Sequence, residues 1–197
     1  MNFKTAVALL LLAILLIAPQ ADAYRFAVGA FAGLNIPVAQ EDAESGSAYG
    51  VKARLPLTGF LAVEPNYTYL KNGDAKLLVD VNGWNEDMTS EGGTFNSFGV
   101  DLLVGNVMGY QGFGAYGIVG LSTAKFERTG IPSNSNGSYW LGLGFEYAVN
   151  DQISLELRGK AIIFPYDDPS NPNSSDKGSR KNGLLTVGVN YFFGFTQ

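Results

Sequence analysis

Nine charged residues in this chain fall on positions that repeat every second residue, and that spacing is where chemistry would reside. Lys52 and Arg54 are separated by one residue, as are Glu156, Arg158 and Lys160; Arg25, Glu64, Asp101 and Glu146 hold similar positions in other extended segments. Successive side chains of a β-strand point to opposite faces, so residues two apart share one. Five cations and four anions gathered on one face support two readings. They neutralise each other in a structural ion-pair network, or they line a narrow polar path and gate it. Covalent chemistry is far more restricted. The chain has no histidine and no cysteine. That removes His-dependent triads, imidazole bases, His- or thiolate-ligated metals, disulfides and a lipid-modified cysteine. Asp167, Asp168, Asn173 and Asp176 offer oxygen ligands for calcium, but their spacing fits no EF-hand loop. No catalytic, metal or cofactor-binding residue is assigned. The net charge of −5 argues against a nucleic-acid partner.

The segments that carry these charges alternate strictly. From Tyr139, the residues Leu141, Leu143, Phe145, Tyr147 and Val149 share one face, while Trp140, Gly142, Gly144, Glu146 and Ala148 share the other. Seven further stretches behave alike: 24–36, 48–57, 60–70, 95–106, 113–126, 152–164 and 184–193. The apolar face is nearly unbroken, and the other is mostly small residues with a few charges. That suits a wall with lipid outside and a narrow polar lumen inside. In a bilayer, only a closed barrel satisfies every backbone group of a sheet. The expected fold is therefore all-β, a transmembrane eight-stranded antiparallel up-and-down barrel. The stretch 113–126 is ambiguous. Val119, Leu121 and Thr123 set one phase, Tyr116 and Ile118 the other, and a bulge near Gly117 or Gly120 would reconcile them.

The ends and connections agree with an exported barrel. Lys4, the apolar run from Ala6 to Ile17 and Ala21-Asp22-Ala23 read as a cleaved signal peptide over 1–23, leaving 24–197 as one barrel domain. The connections alternate long and short, the long ones being 37–47, 71–94, 127–138 and 165–182. Within 71–94, Leu77-Leu78-Val79, the Asn82-Gly83 turn signal and Trp84 predict a hairpin continuing above the membrane. Its edge could bind a partner by strand addition, or it is a solvated loop. Tyrosines and phenylalanines gather near strand ends, as aromatic girdles do.

With these features in hand, the chain resembles the small outer-membrane β-barrel family, the OmpA-barrel and OmpX-like proteins. Three segments carry the likeness: 112–121 (Gly-Phe-Gly-Ala-Tyr-Gly-Ile-Val-Gly-Leu), 140–147 with 150–158, and 186–193 (Thr-Val-Gly-Val-Asn-Tyr-Phe-Phe). The resemblance implies insertion in bacterial outer-membrane lipid. It also implies recognition by the barrel-assembly machinery through Thr186, Gly188, Tyr191 and Phe193, although a tail from Gly194 to Gln197 follows the terminal aromatic. The family's enzymes rely on a histidine, which this chain lacks. A non-enzymatic monomer with a structural or surface-contact role through its external loops is the expected function. A small ion or solute channel gated by the interior charges is the alternative.

Overall fold

The computed structural model describes residues 26–38, 44–73, 75–81, 84–90, 93–107, 112–128, 131–166 and 178–194. The elements are β1 (Phe26–Val38), β2 (Gly46–Thr58), β3 (Leu61–Lys71), β4 (Ala75–Val81), β5 (Trp84–Ser90), β6 (Thr94–Gly105), β7 (Gly112–Arg128), β8 (Ile131–Ala148), β9 (Ile153–Tyr166) and β10 (Gly178–Phe193). Eight of them close into one antiparallel barrel in the order β1-β10-β9-β8-β7-β6-β3-β2. Closure is made by β1 on β10, from Phe26 opposite Phe193 to Val38 opposite Lys181. Arg25, the 1–23 leader and the acidic stretch from Asp167 to Asp176 lie outside the described residues.

The alternation of the sequence becomes the two faces of the wall. Leu141, Leu143 and Val187 are 66%, 62% and 61% exposed. A water-soluble barrel would bury such residues; here they form a continuous band, which is the surface hydrocarbon requires. Val63 departs from this, being on the outer side by alternation yet only 2% exposed. Aromatic rings collect at both margins of the band. Phe26 stacks on Phe193 at 4.8 Å and Phe113 on Phe145 at 5.8 Å near one rim, and Tyr49 stacks on Tyr69 at 4.7 Å near the other. On β8 the band runs from Tyr139 to Tyr147, about 27 Å along a strand and about 21 Å in height after a tilt of about 40°. That approximates the ~25 Å apolar belt of such barrels.

One rim carries the termini and tight connections. Gly59 and Phe60 join β2 to β3. Asn150 Oδ1 accepts the amide N–H of both Gln152 and Ile153 at 2.8 Å, a side-chain turn that swings β8 into β9. Gly105 and Gly112, with φ of 140° and 108°, bracket the β6–β7 connection, where a side chain would be strained.

Along β7 and β8 two expectations change. The segment 127–138 is not a long loop. β7 and β8 keep pairing from Ser122 opposite Ser138 up to Arg128 opposite Ile131. Backbone pairing needs no apolar side chains, so this Ser- and Asn-rich stretch is strand despite its composition. There is also no bulge at Gly117 or Gly120. β7 pairs with β8 without interruption from Gly112 to Phe126, and the register shifts only between Phe126 and Arg128. Tyr116 and Ile118 point inward, 3% and 1% exposed, because the lumen holds an apolar layer that accepts them. The hairpin expected within 71–94 does form. β4 and β5 pair as a separate two-stranded sheet with Val81 opposite Trp84. Beneath it, β3 and β6 meet directly at Lys71 and Thr94, and the Asn72 N–H donates to the Gly93 carbonyl at 3.0 Å.

Candidate functional site: the interior charge network

Two pairs of like charges face each other across neighbouring strands. Glu146 of β8 is directly opposite Glu156 of β9, and Glu64 of β3 is directly opposite Asp101 of β6. Like charges in such positions repel. Each acidic pair is neutralised from the far wall of the barrel. Arg54 lies on β2, four strands from β8 in either direction, and Arg158 lies on β9, four strands from β3 in either direction.

Arg54 spreads its guanidinium between the first acidic pair. Nη1 donates to Glu146 Oε2 at 2.6 Å and Nη2 to Glu156 Oε2 at 2.8 Å, while Nε donates to Glu64 Oε2 at 3.1 Å. Arg158 grips Glu64 with both terminal nitrogens, Nη2 donating to Oε2 at 2.7 Å, and its Nε lies 2.6 Å from Glu156 Oε1. A planar five-donor group holds several carboxylates in a fixed fork, whereas an ammonium group offers three donors from a single atom. Lys160 completes the second pair by bonding Asp101. Lys52 bonds Glu156. Its side chain reaches over the lumen, and from β2 only Arg54 contacts Glu64.

Among the described residues four cations, Lys52, Arg54, Arg158 and Lys160, meet four anions, Glu64, Asp101, Glu146 and Glu156, and every one has an opposite partner. All are buried, Arg54 to 1% and Glu64 to 0% exposed. Neutral groups use the remaining donors and acceptors. Tyr116 Oη donates to Glu156 Oε2 at 2.6 Å and accepts from Arg158 Nε at 3.0 Å, with both guanidiniums within about 5.5 Å of its ring centre. Ser154 and Asn190 bond Glu146, the latter at 2.9 Å. Trp140 donates to Ser122 Oγ at 2.5 Å and lies under Lys160 at 4.9 Å. Apolar layers stand on both sides of the charges. Leu70, Phe95, Ile162 and Leu184 pack toward the loop rim; Ala62, Leu103, Val107 and Ile118 pack toward the turn rim.

Sequence reasoning found the charges but missed Tyr116, Asn190, Ser154 and Trp140. Tyr116 lay in the stretch whose phase was ambiguous, and the other three are polar groups that only their acceptors identify. The glycines give one further signal. A Cβ on Gly144 would stand 2.3 Å from Tyr116 Cε2, so Gly144 is the floor on which the tyrosine lies. Gly144→Ala is expected to destabilise the barrel by about 1–3 kcal/mol through overpacking, whereas Gly137→Ala, where a Cβ meets nothing within 4 Å, leaves the urea midpoint of unfolding unchanged. The residues of the expected assembly signal all lie on β10. Thr186 and Gly188 face the lumen, and Tyr191 and Phe193 face outward with their rings edge-on at 4.7 Å.

The fold has solved counterparts. Neisserial surface protein A aligns with a TM-score of 0.62 at 17% identity, covering 85% of this chain and 97% of that one. A major outer membrane protein of Thermus thermophilus aligns with 0.56 at 14% identity, covering 87% and 100%. The attachment invasion locus protein Ail of Yersinia pestis aligns with 0.52 at 15% identity, covering 86% and 99%. At these identities the likeness is one of fold. No curated protein sequence matches the chain. The family described as outer membrane protein beta-barrel domain matches residues 7–193. With a closed eight-stranded wall, an apolar exterior and a charged interior in agreement, the chain belongs to the outer membrane protein β-barrel domain family, whose place is the bacterial outer membrane.

Proposed function

We propose that this protein is a non-enzymatic, non-conducting monomer of the outer membrane, whose barrel is a rigid plug-filled support and whose external segments make its surface contacts. The observation that carries this reading is the charge network. Four cations and four anions are paired across the lumen with apolar layers on both sides. An ion crossing the barrel would have to break buried pairs, at a cost of several kcal/mol for each ion left uncompensated. An eight-stranded barrel is only wide enough for its side chains to fill it. On this reading residues 1–23 are removed on export, and Thr186, Gly188, Tyr191 and Phe193 of β10 serve the assembly machinery. The external contacts fall to β4–β5 and the extended β7–β8 hairpin.

Current recorded across planar bilayers tests it. Wild-type protein is expected to give no steady current, and Glu64→Ala and Arg158→Ala none or brief, irregular openings. Sustained wild-type current that those substitutions alter would replace this reading with that of a gated ion path.

A further inference from the structure

The β4–β5 hairpin stands on a fixed base. Asn35 Nδ2 donates to Asn72 Oδ1 at 2.6 Å, and Asn182 Nδ2 donates to Asn35 Oδ1 at 2.9 Å. This chain of amides ties the stem of the hairpin to β1 and β10. Two glycines close the stem onto the segment that enters β2. A Cβ on Gly73 would stand 2.6 Å from the Glu44 carbonyl oxygen, and one on Gly46 would strike the Lys71 carbonyl oxygen. The hairpin is therefore held where it leaves the wall, and a partner that binds it does not have to order its stem.

Beyond the stem, β4 and β5 pair only with each other among the described strands. A lone two-stranded hairpin is marginal in water, and a third strand is one way to make such a unit stable. The register shows what that strand must match. Ala75, Leu77, Val79, Val81, Trp84 and Met88 fall on one face, with Glu86, opposite Val79, in their midst. Lys76, Asp80, Asn85 and Asp87 fall on the other face. Of the two edges, that of β5 is the acidic one. Glu86 and Asp87 are consecutive and so belong to opposite faces, and β5 carries no cation. Across 74–91 the chain has Asp74, Asp80, Glu86, Asp87 and Glu91 against Lys76 alone.

We propose that the edge of β5 is a docking site for an extended cationic segment of another protein, in which apolar residues alternate with lysine or arginine, added as the third strand of this sheet. The inference deepens the reading that external segments make the surface contacts, and rests on it. Main-chain hydrogen bonds supply the affinity of a strand addition and alternate side chains its specificity. The apolar residues of the segment extend the face of Val79, Trp84 and Met88, and its cations meet Asp87 across the strands. Charge disfavours the other occupants. A second copy added through the same edge would set Glu86 and Asp87 against their own counterparts, and a polyanionic sugar or lipid surface meets the same repulsion.

Binding of the peptide (Val-Lys)4 to the folded protein in zwitterionic micelles tests the site, with (Val-Glu)4 as the control. Trp84 is the reporter, because the only other tryptophan, Trp140, is buried in the lumen. The cationic peptide is expected to shift the tryptophan emission to the blue and to saturate; the anionic peptide should leave it unchanged. Glu86→Gln combined with Asp87→Asn should weaken binding about tenfold, the effect of losing two solvated charge pairs, while keeping the heat-dependent gel shift of a folded barrel. Equal binding of (Val-Glu)4, unchanged affinity in the neutralised variant, or an emission shift that survives Trp84→Phe would overturn the proposal. Absence of peptide binding with bilayers still silent would overturn it too, and would leave the plug-filled barrel standing. Steady wild-type current would overturn the plug-filled reading whatever the peptide does.

Discussion

Arg54→Met is expected to lower the unfolding free energy by about 3–5 kcal/mol, read as an earlier urea midpoint for barrels refolded in phosphatidylcholine vesicles. Among the described residues Arg54 is the one cation that contacts both Glu146 and Glu156, and those two carboxylates face each other across β8 and β9. Methionine preserves most of the length but supplies no donor. Glu156 keeps Arg158 and Lys52, while Glu146 is left with only Ser154 and Asn190. The loss is therefore concentrated at one buried, uncompensated carboxylate. Adding Glu146→Gln removes that charge and should recover a substantial part of the deficit, and a double-mutant cycle would give the coupling directly. A change of less than about 1 kcal/mol, the scale of a solvated pair, would show that water reaches this layer and that the network is not closed.

The outer face carries the second large effect. Leu143 is halfway between Tyr139 and Tyr147 on β8 and 62% exposed. In vesicles Leu143→Arg should cost about 2–4 kcal/mol, the depth-dependent penalty of a guanidinium at the bilayer midplane. Val149→Arg, beyond the girdle and also exposed, should cost about 0–1 kcal/mol. Equal costs at the two positions would mean that the band between the girdles does not face hydrocarbon.

The outer wall was legible in the sequence because lipid demands apolar residues at every second position, and the strand count and the inward charges follow from that pattern; the β4–β5 hairpin was signalled instead by Leu77-Leu78-Val79 and the Asn82-Gly83 turn. The lumen was harder to read because it is not uniformly polar. The assumption that inward residues are small or charged fails at Tyr116 and Ile118, which belong to the apolar layer below the charges, and that failure made β7 seem to need a bulge. Pairing across the lumen is invisible to neighbour reasoning. Lys52 and Glu156 are 104 residues apart and on strands that do not pair with each other, so only the closed barrel brings them together. The strand formed by Ile131–Ser138 was missed for a different reason: its pairing rests on backbone groups, which composition does not report.

That distance also bears on when the network forms. The bonds from Arg54 to Glu156 and from Arg158 to Glu64 join residues 102 and 94 positions apart, and both cross from one wall to the other. They cannot exist in a hairpin, a half-built sheet or an open curl of strands, because the second wall is not yet opposite the first. Their stabilisation appears only after β1 has met β10. Interactions absent from the rate-limiting ensemble slow escape from the native state and leave the speed of reaching it unchanged. Where closure follows the rate-limiting step, the ion pairs of this barrel act as a latch on its lifetime in the membrane, engaged by closure itself.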